Sequence, residues 1–297
     1  MVKQELLPGV LERDEKSEFP LEQFRKFGET GIFGLPYGKE IGGMDGAYSC
    51  YILAVEEVSK VDASFGIAFS VMTSLYGGSI ANSSAPDHIK KKYLEEVTYG
   101  RKIGSFGLTE HTAGSDAAGQ KTVAVKKGDG WVINGAKCFN TNGPLADYTV
   151  VYALTDPALG TKGMAAFVVE KGTPGFSVGK VENKMGIRSA QVSEMILEDV
   201  YVPDENMIAK PGEGFKLALK TLDGGRIGVA AQGLGIAKGA FEIARKYLMD
   251  REQFGKPLYK QQYLAYKMAE LQTDIKCAEL LLYHAAMCKE TGQPYGV

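Results

Sequence analysis

Histidine is scarce in this chain, with 3 in 297 residues, and the 4 cysteines (Cys50, Cys138, Cys277, Cys288) form no CxxC pair. The scarcity argues against a zinc centre or any His-rich metal site, so no metal is expected. Scattered thiols point to reduced side chains and a cytoplasmic location. A dominant charge is also missing. Lys+Arg number 34 against 36 Asp+Glu, a net charge of −2, which removes any global electrostatic reason to bind nucleic acid. No uninterrupted apolar run approaches the ~18–20 residues of a membrane span. The start, Met1-Val2-Lys3-Gln4-Glu5, lacks the apolar stretch of a signal peptide. What remains is 44% hydrophobic and 24% charged, ordinary for a globular protein, and excludes a disordered, collagen-like or disulfide-knotted chain. At roughly 100–200 residues per domain, the length implies two domains or three small ones.

The residues that are present change character twice. Up to about residue 102 they read as helix. Tyr48, Tyr51, Ile52, Val55 and Val58 recur at spacings of three and four, and Asp45 is a candidate cap for a helix from Gly46 to about Lys60. Pro86 sits well near the first turn of another helix. From 103 to 212 the segments are short and β-branched. Val123–Lys127 and Trp131–Ile133 flank Gly128-Asp129-Gly130, a hairpin signal. Tyr148–Leu154, Met164–Val169, Met195–Leu197 and Val200–Val202 are further strands, and the domain is expected to be antiparallel and barrel-like. From 213 the chain is helical again, with one long helix from Gly214 to about Arg251. After Pro257 a seam of Leu264, Met268, Leu271, Ile275, Ala278 and Leu282 follows. The expected fold class is α+β: a helical domain, a β-domain, and a helical bundle that is only partial. Its seam needs further helices or another chain to cover it. Gly233-Leu-Gly235-Ile-Ala-Lys-Gly239 superficially matches a dinucleotide fingerprint. It follows helix instead of strand and its last gap is one too long, so it is expected to be structural.

Chemistry concentrates in Phe106-Gly-Leu-Thr-Glu-His-Thr-Ala-Gly-Ser-Asp-Ala-Ala-Gly119, a loop after a strand, dense in hydroxyls and backbone amides. Such a loop either cradles an anion or heteroaromatic edge through N–H groups, or is simply a polar turn. Gly107–Asp116 resembles the acyl-CoA dehydrogenase signature Gly-Leu-Thr-Glu-x-x-Ala-Gly-Ser-Asp. Four further stretches match in order: Phe139–Gly143, Lys184–Arg188, Leu222–Arg226 and Arg251–Lys256. The resemblance is nearest to the short-chain, butyryl-CoA-type branch and implies three domains, an FAD cofactor and an acyl-CoA substrate. It also implies an electron-transfer flavoprotein as partner and a homotetramer built as a dimer of dimers. It places Phe106, Leu108, Thr109, Gly114 and Ser115 along the flavin. Phe139, Asn140 and Thr141 follow at the ring, with Thr141 at N5. Arg251, Phe254 and Gln262 serve the FAD across a subunit interface. Ser115, Asp223, Gly224, Gly225 and Arg226 fall to the acyl-CoA, although Asp223 and Arg226, three apart on a helix, also suit a plain surface pair.

The resemblance implies a glutamate base, either in a Tyr-Glu-Gly-Thr-like motif or just before the arginine of the long helix. The first motif does not occur and the second position is Gly225, so no catalytic residue is named; the expected glutamate lies beyond Val297. The chain therefore looks truncated at both ends, and as written is expected to be weak or inactive. The rivals are a non-catalytic flavin- or CoA-binding assembly member and a flavin oxidase or monooxygenase. Two departures stand out. His111 occupies a position where proline is usual and is expected to be a surface residue, and Asn140 replaces isoleucine. Acyl length and physiological direction are not fixed by the sequence.

Overall fold

In the computed structural model, which describes residues 1–296, the first zone is built of helices. These are α1 (Val10–Lys16), α2 (Leu21–Gly28), α3 (Tyr48–Ser59), α4 (Ala63–Ser70), α5 (Gly78–Ala81) and α6 (Asp87–Thr98). Asp62 starts α4, its carboxylate accepting the Phe65 N–H at 2.9 Å. Pro86 is the residue just before α6, with the extended ψ that a cap position requires. Asp45 does not cap α3. It adopts a left-handed φ of 58°, and the helix begins three residues later with no side-chain cap.

A π-helical turn (Val71–Gly77) joins α4 to α5, giving one apolar helical run over Ala63–Ala81. Its length and hydropathy match a membrane span, but 83% of its most apolar window is buried inside the protein. Its polar groups are satisfied within the fold. Thr73 donates to the Phe33 carbonyl at 2.8 Å and Ser74 to that of Ser70 at 2.6 Å. Around it Phe24, Phe27, Phe33, Phe65 and Phe69 interlock, with centroid distances of 4.4–5.2 Å.

The second zone is a β-domain: β1 (Gly104–Gly107), β2 (Val123–Lys127), β3 (Gly130–Thr141), β4 (Tyr148–Leu154), β5 (Met164–Glu170), β6 (Phe176–Val181), β7 (Val192–Pro203) and β8 (Met207–Ala209). The order is β6-β7-β3-β2-β4-β5-β8, with β1 added on β4. The sheet is mixed, not antiparallel throughout: β1 runs parallel to β4 over four residues, and β2 touches β4 in parallel at Val123 and Leu154. The long loop between β1 and β2 permits this, because only tight hairpins force antiparallel pairing. The two short runs near 195 and 200 are one bent strand, β7.

Two long helices follow, α7 (Gly214–Asp250) and α8 (Gln262–Glu290), joined through a tiny hairpin of β9 (Glu252–Gln253) and β10 (Lys256–Pro257). The seam expected on α8 is only partly covered. Leu282 is buried, whereas Leu271 is 40% exposed and Ala278 is exposed. A groove of about 1120 Å³ opens between α7 and α8, walled by Ile227, Leu234, Phe241, Leu271, Ile275 and Leu282.

The decoy fingerprint is a packing device. Gly235 and Gly239 are buried where α7 crosses α3, and a methyl on either would collide with the backbone at Glu56 or Lys60. A methyl on Gly233, which faces the groove, would meet nothing within 4 Å.

Candidate active site

The end of β1 and the end of β3 lie side by side. Ser105 Oγ donates to the Thr141 carbonyl at 2.8 Å, and the Cys138 N–H donates to the Thr109 carbonyl at 2.9 Å. These two bonds bring Phe106–Ser115 and Phe139–Thr141 to one edge. β3 bulges here, its register against β7 slipping between Lys137 and Asn140. Within the bulge Phe139 takes a left-handed φ of 58° and turns its ring outward, 64% exposed. A bulky residue in that region is strained by about 1–3 kcal/mol, and bulges commonly re-aim side chains beside functional sites.

The edge is rich in unspent donors. Among the described residues the Thr109 N–H meets no acceptor, and neither do the N–H groups of Gly114 and Ser115 or the Thr141 hydroxyl. Gly114 and Ser115 are exposed, and a methyl on Gly114 would meet nothing within 4 Å. Asn140 belongs to the interior instead: it is 1% exposed and its amide donates to the Ser193 carbonyl at 3.0 Å. His111 stands on the surface with a ring nitrogen 2.5 Å from Glu194.

A buried ion pair lies behind the loop, joining Glu110 of the signature to Lys137, which no motif marks. Lys137 is wholly buried on β3, its Nζ 2.8 Å from Glu110, 2.7 Å from the Gln120 side-chain oxygen and 3.2 Å from the Leu108 carbonyl. Glu110 also accepts the Lys121 and Thr122 N–H groups at 2.6 and 3.0 Å. Burial alone would push the Glu110 carboxyl up, but the Lys137 ammonium and these hydrogen bonds outweigh it and hold the group below its ordinary range. Desolvation pulls Lys137 down to about 8, while the facing Glu110 carboxylate pulls the other way. A lysine between Ala136 and Cys138 reads as solvated by default, and no pattern in the strand marks it as buried.

The remaining candidates sit elsewhere. Asp223 and Arg226 form a 2.6 Å ion pair on α7, with Arg226 74% exposed. The adjacent glycines admit close neighbours. Tyr48 donates to the Gly224 carbonyl at 3.0 Å, and a methyl at Gly225 would come within 2.7 Å of Leu75. Lys289 packs against Gly224 and over the Tyr48 ring at 4.2 Å from its centroid. Arg251, Phe254 and Gln262 lie past the far end of α7, all exposed, with Phe254 at 92%. Roughly 40 Å of continuous helix separates Asp223 from Arg251, so within one chain they do not share a site. In the Lys184–Arg188 stretch, Lys184 ties its own loop through the carbonyls of Ile187, Arg188 and Ala190. Arg188 pairs with Asp14 of α1 at 2.9 Å.

The N-terminal domain of acyl-CoA dehydrogenases matches residues 1–101, the middle domain 105–200 and the C-terminal domain 212–297. The chain belongs to the acyl-CoA dehydrogenase family. Its relatives within that family include the short-chain specific acyl-CoA dehydrogenase of Clostridium acetobutylicum. That protein is 51% identical over 293 residues, covering 99% of this chain and 77% of the relative. A chain in the structure described as the electron transferring flavoprotein of Acidaminococcus fermentans superposes with a TM-score of 0.97. It is 49% identical, with 99% of this chain and 77% of that one covered. A glutaryl-CoA dehydrogenase from Mycobacterium smegmatis, solved in complex with FADH2, superposes with a TM-score of 0.91. It is 32% identical, with coverage of 98% and 74%. As an acyl-CoA dehydrogenase the chain is an oxidoreductase, and its three zones are the three domains of that family.

Proposed function

We propose that this chain is an FAD-dependent acyl-CoA dehydrogenase acting on short-chain acyl-CoA thioesters, with an electron-transfer flavoprotein as its redox partner. The observation that carries the reading is the edge of unspent donors, the N–H groups of Thr109, Gly114 and Ser115 with the Thr141 hydroxyl, seen in a chain 51% identical to a short-chain enzyme. Those donors suit a flavin. The ring offers carbonyl and imine acceptors along one side, and backbone N–H groups with one hydroxyl complement them without a charge. Bound there, FAD supplies the acceptor for the β-hydrogen and its two electrons.

The chain's own residues would bind and orient. Leu108 and Thr109 present amides to the pyrimidine end, and Thr141 presents its hydroxyl at N5. Phe106 and Phe139 flank the ring, and Gly114 leaves room for it. Ser115 stands where cofactor and thioester meet, and Asp223, Gly224, Gly225 and Arg226 form the acyl-CoA side. Arg251 has no ion-pair partner among the described residues and carries the planar donor fork suited to a diphosphate. Because Arg251, Phe254 and Gln262 lie so far along α7, they would serve the FAD of a neighbouring subunit, consistent with a dimer of dimers. The four free cysteines fit a cytoplasmic setting. The proton acceptor is assigned to no carboxylate of residues 1–296, since the position before Arg226 is Gly225.

The test is anaerobic addition of butyryl-CoA to the FAD-loaded chain. Bleaching of the visible flavin band supports dehydrogenation. Flavin that binds but stays coloured turns the reading to a flavin- and CoA-binding member without the base. Failure to retain any flavin overturns it.

A further inference from the structure

We propose that the buried Lys137 ammonium polarises the Leu108–Thr109 peptide and is thereby a positioning residue that raises the reduction potential of the flavin held at that edge. The inference rests on the function proposed above and adds a determinant to it. The argument begins with covalent geometry. The Leu108–Thr109 peptide is trans, as are all peptide bonds among the described residues. Its C=O and N–H therefore point in opposite directions from one rigid plane. Lys137 Nζ donates to that C=O at 3.2 Å from the protein side. The N–H of the same unit leads away and meets no acceptor among the described residues. A cation on the oxygen draws electron density through the conjugated unit and makes the N–H a stronger donor, as hydrogen-bond chains do in a low-dielectric interior.

The surroundings orient the charge. Glu110 is held by the Lys121 and Thr122 amides, and Gln120 takes a second Nζ proton at 2.7 Å, so the ammonium cannot swing away. The pair thus forms a fixed dipole with its positive end against the Leu108 carbonyl. A purely structural tie would be served equally by an uncharged, well-packed side chain, because a buried ion pair recovers little net stability over a hydrophobic replacement. Reduction adds electron density to the ring, and a donor strengthened from behind favours that state.

The experiment compares the FAD-loaded native chain with Lys137→Met and Glu110→Gln, reading the flavin midpoint potential together with the melting temperature. Lys137→Met is expected to weaken binding of the reduced relative to the oxidised flavin about tenfold, which is about 30 mV for a two-electron couple. Glu110→Gln removes the carboxylate that favours the charged form of the buried amine, so its potential is expected to fall below that of the native chain as in Lys137→Met, and to recover towards the native value on lowering the pH, as the amine regains its proton. Both variants lose thermal stability, so a pH-dependent deficit in Glu110→Gln beside a pH-independent one in Lys137→Met separates polarisation from mere loosening. Unchanged potentials, or a deficit in Glu110→Gln that does not recover at lower pH, overturn the proposal. If Lys137→Met does not fold, the pH-dependent deficit of Glu110→Gln carries the test, and its absence overturns it. A native chain that holds no flavin overturns the proposed function itself; flavin held with unshifted potentials removes only the role of Lys137.

Discussion

Replacing Glu56 with alanine lowers the folding stability by about 3–5 kcal/mol. Glu56 lies on α3 with 1% exposure and gathers the two long helices onto it. Lys238 of α7 reaches its carboxylate at 2.6 Å and Tyr283 of α8 donates to it at 2.9 Å. Lys238 in turn holds Glu279 of α8, also at 2.6 Å. Removing the carboxylate strands the Tyr283 hydroxyl, takes one of two carboxylate partners from the half-buried Lys238 ammonium, and opens a void at the three-helix junction. Lys276, 61% exposed where it pairs with the same Glu279, is the control, since loss of such a surface contact costs at most about 1 kcal/mol. Urea unfolding checks this: the midpoint falls sharply for Glu56→Ala and barely for Lys276→Ala, with the slope unchanged in both.

Gly235→Ala lowers stability by about 2 kcal/mol or more, although alanine is the better helix former by about 1 kcal/mol. The added methyl would lie 2.8 Å from Ser59 Cβ and closer still to the Glu56 carbonyl oxygen, neither of which can yield without parting α3 from α7. Gly233→Ala, two residues away on the same helix, meets nothing within 4 Å and gains about 0.5–1 kcal/mol. Thermal melts of the two variants should move in opposite directions. Equal shifts would mean that the crossing of α3 and α7 is not held by glycine.

The same glycines show what a sequence reveals. Rejecting Gly233–Gly239 as a nucleotide loop needed only the absence of a preceding strand. That two of the three seat one helix on another required the partner backbone. Strand β2, the first part of β3, and strands β4 and β5 were legible because apolar continuity and the Gly128-Asp129-Gly130 turn are local signals. The parallel addition of β1 to β4 was not, since strand direction is decided by where a long loop returns. Asp45 carried the chemistry of a cap without the extended backbone one requires. On the candidate site, Leu108, Thr109 and Thr141 were singled out only through the motif resemblance, and what the structure adds is that their segments lie together. Lys137 was not, because a lysine's burial depends on a glutamate 27 residues earlier in the chain. The distance from Asp223 to Arg251 became plain only when α7 proved unbroken.

The central claim is that the β1–β3 edge seats the flavin, and hydrogen exchange of the whole chain with and without FAD tests it most directly. Slowed amide exchange at 108–115 and 139–141 on adding FAD is the predicted result, with the remainder of the β-domain unchanged. Protection confined to the α7–α8 groove, or no protection in a chain that binds FAD, would contradict it.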